Sequence, residues 1–189
     1  MPESPRKAGG QDDHPPIARA VFFDRDGTLM HEEDYCSEPA RVRAIPGAGE
    51  ALASLRHHGW LNIIITNQSG IGRGYFTGSD YEAVNAELSR QLGGGIDAAY
   101  HCADHPDIPT PRRKPGTGMI EEAIRDHQID PKRSWFIGDK DIDITSGRAA
   151  GCRTILVLTG YGEKHRNCGA DFVVPDVTAA ISTILADDS

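Results

Sequence analysis

From Ile17 onward, short β-branched or aromatic runs alternate with amphipathic stretches. Ala20–Asp24, Leu61–Thr66, Ile96–Tyr100, Ser134–Gly138, Thr154–Leu158 and Phe172–Val174 read as strands, several of them apolar enough to be buried on both faces. The stretches between them, Gly47–His58, Ser79–Leu92, Gly116–His127, Ile142–Ala150 and Val177–Ala186, read as helices, the second with Ser79 or Gly78 near its N-cap. The triplet Gly93–Gly95 reads as the stop of that helix. Strands alternating with helices imply an α/β fold, a Rossmann-like three-layer sandwich whose mostly parallel sheet is covered on both faces. Only about eighteen residues separate Thr28 from the helix near Pro46, and one helix, one strand and a proline-bearing loop use up Gly70 to Arg113. No separate cap domain fits.

Composition narrows the class. The chain has 189 residues, enough for one ordinary domain. Residues 1–16 hold four of the twelve prolines together with Gly9 and Gly10, so they read as a flexible tail and residues 17–189 as the single folded domain. The formal net charge of −8 argues against a surface that coats nucleic acid or anionic membrane. No apolar run approaches the ~20 residues that span a bilayer, and Met1–His14 lacks a secretory apolar core. Four scattered cysteines make no disulfide framework and fit a reducing cytosol, so the expectation is a cytoplasmic protein, with a monomer favoured.

In an open parallel sheet, ligands gather outside the carboxyl ends of the strands, where the connection order reverses. Asp24, Thr66 and Asp139 each follow an apolar run directly, so all three belong at that edge. Four polar motifs cluster there. Asp24-Arg25-Asp26-Gly27-Thr28 crowds two carboxylates, which a fold tolerates when a cation lies between them or one holds a proton. Thr66 to Gly74 puts a hydroxyl and amides on a glycine-rich turn, donors that suit a phosphate. Lys114 precedes a helix start and can bring a point charge to anionic oxygens. Asp139 and Asp143 stand four apart on an opening helical turn. Each motif alone has an ordinary explanation as a solvated turn, an exposed basic pair or a helix cap.

Together and in this order, Asp24-x-Asp26-Gly27-Thr28, Thr66, Lys114 and Gly138-Asp139-x-x-x-Asp143 resemble the haloacid-dehalogenase superfamily of phosphotransferases over roughly residues 19 to 186. The string Thr66 to Gly74 with Arg113-Lys114-Pro115 resembles the branch that holds heptose-bisphosphate and histidinol-phosphate phosphatases. That resemblance implies a Mg2+-dependent phosphomonoester hydrolase acting on a small phosphorylated sugar. It implies Asp24 as nucleophile, Asp26 as proton donor and acceptor, and Thr66, the Asn67 backbone amide and Lys114 as holders of phosphoryl oxygens. Asp24, Asp139 and the backbone carbonyl of Asp26 would bind the metal, with Asp143 in support. Arg73 and Arg113 are the candidates to meet a second phosphate or sugar hydroxyls, since a guanidinium binds oxygens in pairs.

The chain departs from that branch at one point. Its relatives hold structural zinc in a loop with a Cys-x-His pair and a later Cys-x-Cys pair. Here Cys102 keeps the first position, while Asp104, Thr110 and Arg112 occupy the other three. Cys102 and His105 are too few soft ligands for a closed structural site, so zinc is expected to be absent. Substrate choice would then rest on the loops His31–Ser37, Gln68–Tyr75 and Cys102–Arg113. Histidinol phosphate hydrolysis and a non-catalytic phosphate-binding module are the competing readings. Trp60 and Trp135 read as packing, His57-His58 as partners of helix-end carbonyls, and Cys36, Cys152 and Cys168 as structural or inert.

Overall fold

A computed structural model describes residues 17–108 and 110–188, so the expected tail lies outside the described residues. Six strands form one sheet: β1 (Ala20–Phe23), β2 (Leu61–Asn67), β3 (Ala98–Cys102), β4 (Trp135–Gly138), β5 (Arg153–Val157) and β6 (Phe172–Val174). Their spatial order is β3-β2-β1-β4-β5-β6, and every pairing is parallel. The connection order therefore reverses between β1 and β4. A crevice opens at the carboxyl ends of those two strands.

Six α-helices accompany them among the described residues: α1 (Ala48–His57), a single turn α2 (Ser69–Gly72), α3 (Gly78–Gln91), α4 (Gly118–His127), α5 (Asp141–Ala149) and α6 (Val177–Asp187). Strand side chains alternate between two cores. Val21, Phe23, Ile64, Ile137, Ile155 and Val157 pack with Leu52 and Leu55 of α1, Val84 and Leu88 of α3, and Ile181 and Ile184 of α6. Ala20, Phe22, Ile63, Ile65 and Phe136 pack with Met119, Ile120 and Ala123 of α4 on the opposite face. Gly147 lets α5 press onto Phe136, where a Cβ would sit 2.5 Å from that ring's own Cβ. Both faces of the sheet are thus dry, which is why its central strands read as unbroken apolar runs.

Most boundaries shift by one or two residues from the sequence reading, and three differences have a clear physical reason. Strand β3 begins at Ala98 and runs on to Cys102, two residues later than expected at each end, because Ala98, Tyr100 and Cys102 are the residues that face the second core. The N-cap of α3 is Thr77: its hydroxyl accepts from the Asp80 N–H at 3.2 Å, and the Asp80 carboxylate accepts from the Thr77 N–H at 2.7 Å. The glycine-rich segment after β2 contains the helical turn α2, where only a turn was expected. Trp60 and Trp135 are buried beneath Arg19 and Arg153, and the His58 ring lies 2.8 Å from the Ser54 carbonyl, as their readings anticipated. Among the described residues no helix is long and apolar enough to cross a membrane.

Candidate active site

The chain turns sharply after β1. The Asp24 N–H is carried by the Ile137 carbonyl of β4 at 2.9 Å, and the Arg25 carbonyl then accepts from Leu29 and Met30 at 3.0 and 3.2 Å. Gly27 makes the turn possible with φ +83°, and a Cβ there would meet the Asp139 carboxylate at 2.3 Å. Gly160 comes as close on another side, at 2.2 Å. The backbones of two glycines, one from each of two loops, therefore close around the carboxyl group at the end of β4.

At the crevice, Lys114 is 3% exposed and makes three contacts of 2.7 Å each: to Asp24 Oδ1, to Asp143 Oδ1 and to the Ile65 carbonyl. Its loop is fastened to β2 by the Asn67 side chain, whose Oδ1 accepts from the Lys114 N–H at 3.0 Å while its Nδ2 donates to the Lys114 carbonyl at 3.1 Å. Asn67 thus contributes a clamp on the lysine loop. Asp143 reaches back to accept from the Lys140 N–H at 3.1 Å and so caps α5. Asp139 is fully buried. Its Oδ2 accepts from the Tyr161 N–H at 2.8 Å, and its Oδ1 has no hydrogen-bond partner.

The electrostatics follow from this crowding. Burial pushes the Asp24 carboxyl up, but the ammonium groups of Lys114 and Lys140 outweigh it and hold the group below its ordinary value. Asp139 has no such direct partner, so burial and the neighbouring Asp24 charge push it up to about 8. Asp143 is also raised, by burial, despite the lysine beside it. A buried carboxylate oxygen without a donor is a cost the fold bears unless a cation comes. One oxygen each from Asp24, Asp139 and Asp143 lies within 4.8 Å of the others, a hard-oxygen set suited to a small divalent ion.

In front of these groups lies a cavity of about 200 Å³, walled by Asp24, Asp26, Thr66, Asn67, Lys114 and Asp143 among others. The structure brings together seven of the nine expected site residues, Asp139 meeting the others through the carboxylate cluster. It does not bring Arg73 or Arg113 into the wall. Arg73 is exposed just after α2, and Arg113 donates to the Asp104 carbonyl at 3.4 Å. Arg25, Lys140, Ile142 and Tyr161 also line the cavity without having been read as site residues, and Gln68 joins them from a loop expected at the mouth. Lys140 is 3.4 Å from Glu32 and sits over the Tyr161 ring at 4.6 Å. Its place at the head of α5, beside the Asp139 motif, was the available signal.

An all-parallel sheet with a reversal point, a buried lysine between two aspartates and a third carboxylate with an unpaired oxygen fit a phosphatase of the haloacid-dehalogenase-like class. The HAD-hydrolase-like family model matches residues 111–180. The D-glycero-D-manno-heptose-1,7-bisphosphate 7-phosphatase of Chlorobaculum tepidum is 39% identical over 86% of this chain and 89% of its own length. The D-glycero-beta-D-manno-heptose-1,7-bisphosphate 7-phosphatase of Mesorhizobium japonicum is 41% identical over 92% and 87%. By these likenesses the chain belongs to the heptose-1,7-bisphosphate 7-phosphatase family. The fold agrees: the crystal structure of D,D-heptose 1,7-bisphosphate phosphatase from B. bronchiseptica, complexed with magnesium and phosphate, matches with a TM-score of 0.83 at 30% identity, covering 89% of this chain and 99% of that one.

Proposed function

We propose that this chain hydrolyses the 7-phosphate of D-glycero-D-manno-heptose 1,7-bisphosphate through an aspartyl-phosphate, in the supply of nucleotide-activated heptose. The observation that carries the reading is the buried Asp24–Lys114–Asp143 bridge at the β1 and β4 ends, beside the unpaired Oδ1 of Asp139. Asp24 attacks phosphorus in line, which divides one difficult hydrolysis into two displacements. Asp24, Asp139 and the Asp26 carbonyl would hold Mg2+, which supplies a hard positive charge against the repulsion between carboxylate and phosphate. Asp26 gives a proton to the leaving alkoxide and takes one from water in the second half-reaction. The Thr66 hydroxyl accepts from Gln68 at 2.9 Å, which leaves its own hydrogen for a phosphoryl oxygen. Lys114 holds a further oxygen, and Asp143 orients Lys114. The reading assigns the second phosphate to Arg113, next to Lys114, and to Arg73 on the exposed loop. The net charge of −8 argues against nucleic acid or an anionic membrane as partner; the reading takes a small phosphorylated sugar as substrate, in the cytoplasm, with the enzyme acting as a monomer.

Phosphate release across a panel of both heptose bisphosphate anomers, histidinol phosphate and simple sugar phosphates, with Mg2+ and with EDTA, tests the assignment. Highest kcat/KM on a heptose bisphosphate, lost in EDTA, is expected. A panel led by histidinol phosphate would remove the heptose reading, and no Mg2+-stimulated release from any member would remove the enzyme reading.

The reading also leaves out structural zinc. At the four positions where zinc ligands stand in the resembling branch, the side chains bind one another or nearby residues. Asp104 Oδ2 accepts from Thr110 Oγ1 at 2.6 Å and from Cys102 Sγ at 3.3 Å. Arg112 forks onto Glu122 at 2.7 and 2.9 Å and donates to the His101 carbonyl at 2.9 Å. The guanidinium and the hydroxyl cannot replace thiolates in a tetrahedral site. In buffer free of Mg2+, chelator treatment is expected to leave Tm unchanged while Asp104→Ala lowers it; a zinc-to-protein ratio near one in elemental analysis would refute this.

A further inference from the structure

Among the described residues the largest fully buried side chain is Arg25, 1% exposed, between the two aspartates of the first motif. Its Nε donates to Asp26 Oδ2 at 3.0 Å and its Nη2 to Asp26 Oδ1 at 3.2 Å, a fork that fixes the plane of that carboxylate. Nη2 also donates to Gln68 Oε1 at 3.1 Å. That contact sets the Gln68 amide, so its Nε2 faces Asp26 Oδ2 at 3.0 Å. The guanidinium is anchored from behind by helix α3: Nη1 donates to Asn85 Oδ1 at 3.3 Å, and the group lies 5.3 Å from the Tyr81 ring, whose hydroxyl accepts from Asn85 Nδ2 at 2.8 Å.

Every side-chain contact that Arg25 and Gln68 make with Asp26 is an N–H donor. Both Asp26 oxygens are thereby fixed in place as acceptors, the orientation needed to receive a proton from water. We infer that Arg25 and Gln68 are positioning residues for the second half-reaction, holding Asp26 as the base that activates the lytic water. In that step the water oxygen bonds to phosphorus while the bond from Asp24 to phosphorus breaks. Its electron pair returns to the Asp24 carboxylate, the water proton passes to Asp26, and inorganic phosphate leaves. This rests on the roles proposed above for Asp24 and Asp26.

An aryl phosphate such as 4-nitrophenyl phosphate separates the half-reactions. Its leaving group needs no proton, so kcat/KM reports attack by Asp24, and kcat reports hydrolysis of the aspartyl-phosphate once that step limits. For Arg25→Lys, which keeps the charge but not the fork, kcat is expected to fall about tenfold or more with a much smaller fall in kcat/KM. KM then drops, and nitrophenol appears in a burst matching the enzyme concentration. Gln68→Leu tests the same point if the lysine variant does not fold, and should show the same burst. Asp26→Asn is the reference. If Asp26→Asn shows the burst while both other variants lose kcat and kcat/KM in parallel without one, the inference is overturned and the role of Asp26 stands. If Asp26→Asn shows no burst, the role of Asp26 falls and the inference with it.

Discussion

Turnover of the Asp24→Asn protein is expected to fall by roughly 10⁴-fold or more on every member of the phosphate panel, because an amide offers no anionic oxygen for attack on phosphorus. The fold should survive. The Asn oxygen can still accept from Lys114 at the position where Oδ1 now lies 2.7 Å away, and the substitution removes one negative charge from a cluster that includes Asp139 and Asp143. Thermal unfolding provides the second readout. Mg2+ raises the Tm of any state it binds, and the rise should be smaller for Asp24→Asn than for the parent, since one hard-oxygen ligand has become neutral. A variant that cleaved an aryl phosphate within tenfold of the parent rate would show that another group attacks phosphorus.

The sheet was legible because burial on both faces leaves little choice of residue. Runs such as Val21-Phe22-Phe23 and Ile63-Ile64-Ile65 have no polar member, and all six strands were located within two residues of their observed ends. Strand β3 was the least well placed. Its Tyr100-His101-Cys102 end carries a polar residue that masks the alternation, although this is the end that pairs with Thr66 and Asn67. The clustering of the carboxylates was legible for a related reason: acidic residues directly after apolar runs lie at strand ends, and the fold rule brings strand ends together.

The hydrogen-bonded frame around those carboxylates was not legible. Arg25 looks like a surface cation by composition, and only the turn after β1 places it beneath Tyr81 with its fork on Asp26. The Asn67 side chain looked equally suited to phosphate, yet its pairing with both backbone groups of Lys114 depends on two loops 47 positions apart meeting at the sheet edge. Sequence order shows which groups can reach an edge. It does not show which of them bind each other once there.

The largest effect on stability is expected at Lys114. Replacing it with methionine keeps most of the apolar stem but removes the ammonium, which lies 5.5 Å from the Phe136 ring centre and contacts Asp24, Asp143 and the Ile65 carbonyl. Breaking a buried pair by removing one partner costs about 3–5 kcal/mol, because the other partner keeps its desolvation penalty without compensation. The sign of the pH dependence follows. In the parent, Asp24 is held below its ordinary value near 3.8, so its contribution is present above that pH and lost as pH falls through the folded value. Without the ammonium, Asp24 joins Asp139, pushed up to about 8, and Asp143, also raised, as carboxyls that burial favours in the protonated form. Ionising them then opposes folding. The gap between parent and Lys114→Met should therefore be widest near pH 8 and narrow toward pH 5, by about 1 kcal/mol or more, since one unit of pKa shift is about 1.4 kcal/mol. Urea unfolding in EDTA at the two pH values measures this. Activity should fall by roughly 10² to 10³ as one phosphoryl contact is lost. A gap that did not change with pH would mean that Lys114 stabilises the fold by packing alone, and the charge balance assigned to this site would be wrong.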